Sequence, residues 1–76
     1  MPAFPAGSVV AVLGLGVSGE AAARLAAANG GIVYASDVSA GPVPTAAAER
    51  LASEGIDAEA GGHDMQRVLS ADLVVV

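Results

Sequence analysis

Short apolar runs alternate with alanine-rich segments along this chain of 76 residues. The first run, at residues 8–13, is almost continuously apolar rather than alternating, which indicates a strand buried on both faces. The third run, at residues 57–60, is shorter and more polar, so it indicates only a weak strand. We predict strands at residues 8–13, 32–36, 57–60 and 73–76.

The segments between these runs are typical of helices. Glu20 suits a first helical turn, Gly30 follows the end of that helix, and Thr45 and Asp64 are residue types that cap helix starts. The serine-, glycine- and proline-rich stretch at 39–44 is expected to be a loop. We predict helices at residues 18–29, 45–54 and 64–70. The order β-α-β-α-β-α-β predicts an α/β, Rossmann-like parallel sheet with right-handed crossovers.

A glycine-rich turn, Gly-Leu-Gly-Val-Ser-Gly, lies between the first predicted strand and the first predicted helix. We expect Gly14 to make the tight turn, Gly16 to let an anion approach the backbone, and Gly19 to let the helix pack on the strand. The N–H groups at the helix start then favour a pyrophosphate. Ser18 could cap the helix, contact the ligand, or do both. The alternative is a purely structural turn.

Asp37 follows Gly19 by 18 residues, at the end of the second predicted strand. A carboxylate there can accept hydrogen bonds from a ribose and repel a 2′-phosphate, but it could equally meet a base edge or cap a loop. His63 with Asp64 is a weak metal or acid–base signal, so we favour a turn and a helix start. Asp72 is expected to be a solvated loop residue. Solvent-facing acidic residues are predicted at Glu49, Glu54, Asp57 and Glu59.

The charge composition restricts the partners of this chain. Three arginines oppose eight acidic residues, giving a net charge of −5 with no lysine. A nucleic-acid surface and an anionic membrane both demand basic residues, so neither is expected as a partner. A lysine-dependent P-loop is impossible, and any phosphate must be held mainly by backbone N–H groups. We find no catalytic centre and predict no catalytic or metal-ligating residue.

Cysteine is absent, which excludes disulfides and thiolate metal sites. Residues 1–5 lack the features of a signal peptide, and no apolar run approaches the roughly 20 residues that span a bilayer. We therefore expect a cytoplasmic protein. The last residues, 73–76, are typical of a central parallel strand, so we also expect this sequence to be the front piece of a longer protein with an incomplete sheet.

Four motifs recur here in the order seen in a known family. They are Val-Leu-Gly-Leu-Gly-Val-Ser-Gly at 12–19, Ser-Asp at 36–37, Gly-Gly-His at 61–63 and Ala-Asp-Leu-Val-Val at 71–75. Together they resemble the N-terminal domain of the Mur ligases, especially those that add D-glutamate to UDP-N-acetylmuramoyl-L-alanine. The resemblance covers about residues 8–76.

This resemblance implies that the chain binds the UDP part of that substrate. It places Leu15 to Gly19 against the pyrophosphate, with the N–H groups near Val17 and Ser18 as donors, and places Asp37 against the uracil. The next family position often carries a hydroxyl, whereas this chain has Val38, so Ser39 could replace it. The predicted substrate-binding residues are Gly14, Leu15, Gly16, Val17, Ser18, Gly19, Asp37, Val38 and Ser39.

The resemblance also implies an ATP- and Mg²⁺-dependent, ADP-forming ligase of peptidoglycan synthesis, and hence of cell shape and division. It is expected to be cytoplasmic and monomeric. ATP, Mg²⁺ and D-glutamate would belong to further domains, so the 76-residue piece would hold no cofactor and be inactive alone. Two alternatives stay open from the glycine turn and Asp37. One is an NAD-binding Rossmann domain of an oxidoreductase or regulatory protein, and the other is an interaction module with a vestigial turn.

Overall fold

The computed structural model describes residues 5–76. The leading residues 1–4, part of the segment judged unlike a signal peptide, lie outside the described residues. The predicted alternation of strands and helices is confirmed. The elements are β1 (Val9–Leu13), α1 (Val17–Ala28), β2 (Ile32–Asp37), α2 (Pro42–Ser53), β3 (Asp57–Ala60), α3 (Met65–Leu69) and β4 (Leu73–Val75).

All four strands run parallel in one open sheet with the order β3-β2-β1-β4. The chain steps from β1 outward to β2 and β3, then returns to the opposite side of β1. β1 is therefore central, and its residues Val10, Ala11 and Val12 are buried as predicted. Among the described residues β4 lies at the sheet edge with Val74 43% exposed, and a central position of this strand in a longer sheet stays a prediction.

Helices cover both faces of the sheet. α1 and α2 pack on one face and α3 on the other, as the right-handed crossover rule requires when the chain reverses its direction across the sheet. Small alanine side chains let α1 and α2 approach the strands closely. The larger core cluster comprises Val10, Val12, Leu15, Ala23, Ala26, Val33, Ala35, Ala47, Ala48 and Leu51. The smaller cluster on the α3 face comprises Ala11, Tyr34 and Val68.

The start of α2 differs from the prediction. The helix begins at Pro42, so the predicted loop at 39–44 is too long and Thr45 is not the N-cap. Proline fits a first helical turn because the N–H group it lacks would have no partner there and its φ angle is already helical. The Thr45 hydroxyl instead donates to the Ala40 carbonyl at 3.2 Å.

Four charged side chains join α1 to α2. Glu20 pairs with Arg50 at 2.7 Å and with Arg24 at 2.8 Å, and Arg24 also pairs with Glu54 at 2.7 Å. The Glu20 side chain is only 12% exposed. Hydrogen bonding to Arg50, assisted by Arg24, holds the pKa of the Glu20 carboxyl at about 2, below its ordinary value of 4.5.

We expect this network to make the stability of the fold decrease as the pH becomes acidic. Because the pKa of Glu20 is lower in the folded chain, its contribution is complete above about pH 4.5 and is lost as the pH falls toward 2. Thermal unfolding of Glu20→Gln should therefore show a lower midpoint at pH 7 and a shallower decline between pH 4.5 and 2. Glu49→Gln, at an exposed position of α2, is the matched control. Equal declines in all three proteins would contradict this expectation.

Among residues 5–76 we find no helix with the combined length and apolar character needed to cross a membrane.

Candidate functional site

The turn between β1 and α1 requires glycine at two positions for different reasons. Gly14 has a φ angle of +111°, which side-chain-bearing residues rarely adopt. A β-carbon added to Gly19 would lie 1.7 Å from the Gly14 carbonyl oxygen. Gly19 thus lets the helix pack on the turn, as predicted. A β-carbon added to Gly16 would have no atom within 4 Å, so the space over this residue is open, which leaves the room that an approaching anion needs.

The first turn of α1 presents backbone donors. Gly16 is its N-cap without any side-chain cap, so the prediction of Ser18 as N-cap is wrong; Ser18 is the second helical residue. The first helix N–H to find an acceptor along the helix is that of Glu20, bonded to the Gly16 carbonyl at 3.0 Å. The N–H groups of Val17, Ser18 and Gly19 precede it and have no intrahelical acceptor, which is the arrangement that binds anions.

A cleft of about 330 Å³ opens beside this helix start, between the carboxyl ends of β1 and β4. The sheet order reverses at this point, because β2 lies on one side of β1 and β4 on the other. Ligands of open α/β sheets bind in such crevices. The cleft is lined by Val12, Leu13, Gly14, Gly16, Ser18, Gly19, Ala22, Val75 and Val76. Val75 in β4 and Val76 directly after it were not predicted, since their position depends on the strand order.

The cleft gathers only part of the predicted site. Four predicted residues line it, namely Gly14, Gly16, Ser18 and Gly19. The Leu15 side chain is fully buried in the core, so Leu15 can offer a ligand only its backbone. Exposed Val17, Val38 and Ser39 and half-buried Asp37 lie outside the cleft lining.

Asp37 is tied to the glycine turn through its carboxylate. Its Oδ2 accepts a hydrogen bond from the Leu15 N–H at 2.7 Å, and its Oδ1 accepts one from the Ser39 N–H at 2.8 Å. These two bonds, that of Leu15 foremost, lower the pKa of Asp37 below its ordinary value. The loop-capping role is therefore present, and it leaves lone pairs on both oxygens for a ligand. Contact with a nucleoside stays a prediction.

The loop between β3 and α3 folds back onto the end of β2. The N–H groups of Gly61 and Gly62 both donate to the Asp37 carbonyl at 2.9 Å, and a 2.6 Å hydrogen bond joins His63 Nδ1 to Ser36 Oγ. Asp64 Oδ1 accepts the N–H groups of Gln66 and Arg67 in the first turn of α3, so the predicted turn and helix start are confirmed. Within residues 5–76, the side chains of histidine and the acidic residues form no cluster that could hold a metal ion.

Every arginine of the sequence is paired with a carboxylate, and no arginine lines the cleft. Arg24 and Arg50 belong to the network between α1 and α2. Arg67 pairs with Asp57 at 2.6 Å and lies over the Tyr34 ring at 4.1 Å. Since the sequence has no lysine, an anion at the turn would have to be held by backbone N–H groups, as the composition predicted.

Several acidic residues are exposed as predicted but also hold partners. Glu59 accepts the Tyr34 O–H, and the Tyr34 oxygen accepts the Asp64 N–H at 2.7 Å. Burial, and next the hydrogen bond to Glu59, raise the pKa of Tyr34. Asp72 is more than a solvated loop residue, because its Oδ2 accepts the Val9 N–H at 2.7 Å and so joins β4 to β1. These contacts join residues that are distant along the chain, so no local sequence pattern predicts them.

Comparison with known proteins points to one kind of enzyme. The chain is 39% identical over 69 residues to the UDP-N-acetylmuramoylalanine–D-glutamate ligase of Nitratidesulfovibrio vulgaris, and 43% identical over 70 residues to the enzyme of that name from Chlorobaculum parvum. The matches cover 91% and 92% of this chain but 16% and 14% of the relatives, so the chain spans about a sixth of their length. No protein-family model matches it. No solved structure matches it either.

Proposed function

Nine-tenths of this chain is similar to one segment of the UDP-N-acetylmuramoylalanine–D-glutamate ligases, and from this premise we propose that it is the uridine-nucleotide-binding part of such a ligase. The observation that carries the proposal is the cleft at the sheet's switch point, walled by the glycine turn and the uncapped start of α1. This arrangement suits a diphosphate held by backbone donors. The whole enzyme would join D-glutamate to UDP-N-acetylmuramoylalanine in the cytoplasm, as a step of peptidoglycan synthesis.

Each part of the site has a role in this proposal. The N–H groups of Val17 and Ser18 bind the diphosphate, and the open space over Gly16 admits it. Asp37, with Val38 and Ser39 after it, meets the uridine end. The sugar and its alanine then extend from a fixed diphosphate toward the part of the ligase that joins D-glutamate to the alanine, so this chain contributes by orientation rather than by bond making.

ATP and Mg²⁺, which the family resemblance implies, do not fit this chain. The sequence has no lysine for a P-loop, and residues 5–76 hold no cluster of metal-ligating side chains. We therefore assign both to other parts of a longer ligase and expect the 76-residue chain to have no ligase activity alone.

A second candidate function follows from Asp37. A carboxylate at the end of β2 beside a glycine turn also suits the ribose of NAD, so the chain could instead be the cofactor domain of an oxidoreductase or regulatory protein. The relatives do not favour this alternative, because they are named as ligases.

Replacing Asp37 tests the proposed site. Asp37→Ala leaves the N–H groups of Leu15 and Ser39 without their acceptor and removes the predicted nucleoside contact, so we expect UDP to bind at least about tenfold more weakly. Asp37→Asn keeps one acceptor oxygen, so we expect its affinity for UDP to lie between those of the wild type and Asp37→Ala. Isothermal titration calorimetry of the wild type and both variants with UDP measures the dissociation constants. Unchanged affinity in Asp37→Ala would remove Asp37 from the site.

A further inference from the structure

Ser36 has an unusual environment for a polar residue. Among the described residues it is the buried polar side chain of the core, with no exposed surface. A buried hydroxyl needs a hydrogen-bond partner, since leaving it unsatisfied is costly. That partner is His63 Nδ1, at 2.6 Å, in the loop between β3 and α3. The proposed diphosphate site uses neither side chain directly.

The backbone of Ser36 reaches the glycine turn. Its carbonyl accepts the Gly14 N–H at 2.7 Å, and the adjacent Asp37 carboxylate accepts the Leu15 N–H at 2.7 Å. Both N–H groups at the start of the turn are thus held by consecutive residues at the end of β2. Ser36 and its neighbour Asp37 are thus coupled to the turn by these two hydrogen bonds.

The loop of Gly61, Gly62 and His63 clamps this end of β2 from the other side. Its two glycines reach β2 only through the backbone, by donating to the Asp37 carbonyl. His63 supplies the side-chain attachment of the loop and is half-buried there. The end of β2 therefore lies between a loop that it binds through two glycine N–H groups and the His63 side chain, and a turn that it binds through Gly14 and Leu15.

We propose that His63 is a positioning residue for the diphosphate turn, acting through Ser36. The inference rests on the proposed function and adds a residue that touches no part of the ligand. With His63 in place, the end of β2 is fixed, and the turn holds the N–H groups of α1 at the geometry that a diphosphate needs. Without it, the turn shifts and the nucleotide binds less tightly.

The test compares two amide replacements in the 76-residue chain. His63→Asn places an amide atom near the position of Nδ1 and keeps the hydrogen bond to Ser36, whereas His63→Gln places its amide one bond further out. We expect His63→Gln to bind UDP about tenfold more weakly, and His63→Asn to stay within about twofold of the wild type. The same contrast should appear without ligand, as displaced amide NMR signals of Gly14 and Leu15 in His63→Gln alone.

A second substitution removes the other partner of the bond. Ser36→Ala should weaken UDP binding as His63→Gln does, and combining the two should add little further loss, because both remove one interaction. It also supplies the affinity test if His63→Gln does not fold. Wild-type affinity in His63→Gln or Ser36→Ala, or losses that add fully, would overturn the inference. Unmoved Gly14 and Leu15 signals in His63→Gln would also overturn it. If the wild-type chain binds no UDP, the proposed function fails, while the ligand-free signals still decide the role of His63.

Discussion

Replacing Gly19 by alanine is expected to cost the chain a large part of its stability, although alanine favours helices. The added methyl group would lie 1.7 Å from the Gly14 carbonyl oxygen, so the turn and α1 must separate. Overpacking of this kind costs about 1–3 kcal/mol and sometimes more. Because the clashing atom belongs to the backbone, we expect a loss of at least about 3 kcal/mol. For a chain of this length, the total free energy of unfolding is expected to be roughly 4–11 kcal/mol.

The matched control is the same substitution three residues earlier. Gly16→Ala adds a methyl group with no atom within 4 Å, at a φ angle of −79° that alanine adopts freely. The preference for glycine over alanine at an N-cap is the one effect that disfavours this substitution, so we expect the free energy of unfolding to fall by less than about 1 kcal/mol. Urea unfolding followed by circular dichroism measures both variants. Equal stability of Gly16→Ala and Gly19→Ala, or a gain in the stability of Gly19→Ala from helix propensity, would contradict the close packing of α1 on the turn.

Replacing Gly16 by leucine is expected to abolish nucleotide binding while leaving the fold intact. The side chain would extend into the open space over the turn and occupy the place through which a diphosphate reaches the N–H groups of Val17 and Ser18. A β-carbon at this position meets no atom within 4 Å, so we expect the stability to match that of Gly16→Ala within about 1 kcal/mol. Titration with UDP should show no saturation at about 100 times the wild-type dissociation constant.

Ala28→Leu controls for adding a leucine to the surface of the same helix. Ala28 is exposed at the far end of α1, and we expect this variant to bind UDP as the wild type does. Wild-type affinity in Gly16→Leu would place the diphosphate elsewhere, whereas loss of affinity in both variants would indicate a general effect on α1.

The features predicted from the sequence are those that local chemistry decides. The bounds of β3, the Asp64 cap and the need for glycine at position 19 follow from apolar periodicity, capping and the spacing of the turn. The start of α2 was missed because prolines suggested a loop, although Pro42 occupies the position where a helix tolerates proline best.

The features that could not be predicted depend on contacts between distant parts of the chain. The edge position of β4, and with it the lining of the cleft by Val75 and Val76, follows from strand order, which no local pattern encodes. The bond between Ser36 and His63 spans 27 residues. Asp37 was predicted at the site by its spacing, but its bond to the Leu15 N–H required the turn's geometry.

The most direct test of uridine-nucleotide binding at the glycine turn is an NMR titration of the chain with UDP and, separately, with NAD. We expect UDP to shift the amide signals of residues 14–19 and of Asp37, and NAD to leave them in place. Shifts with NAD and none with UDP would contradict it in favour of a dinucleotide-binding domain. The absence of shifts with either ligand, in a folded chain, would contradict nucleotide binding by this turn.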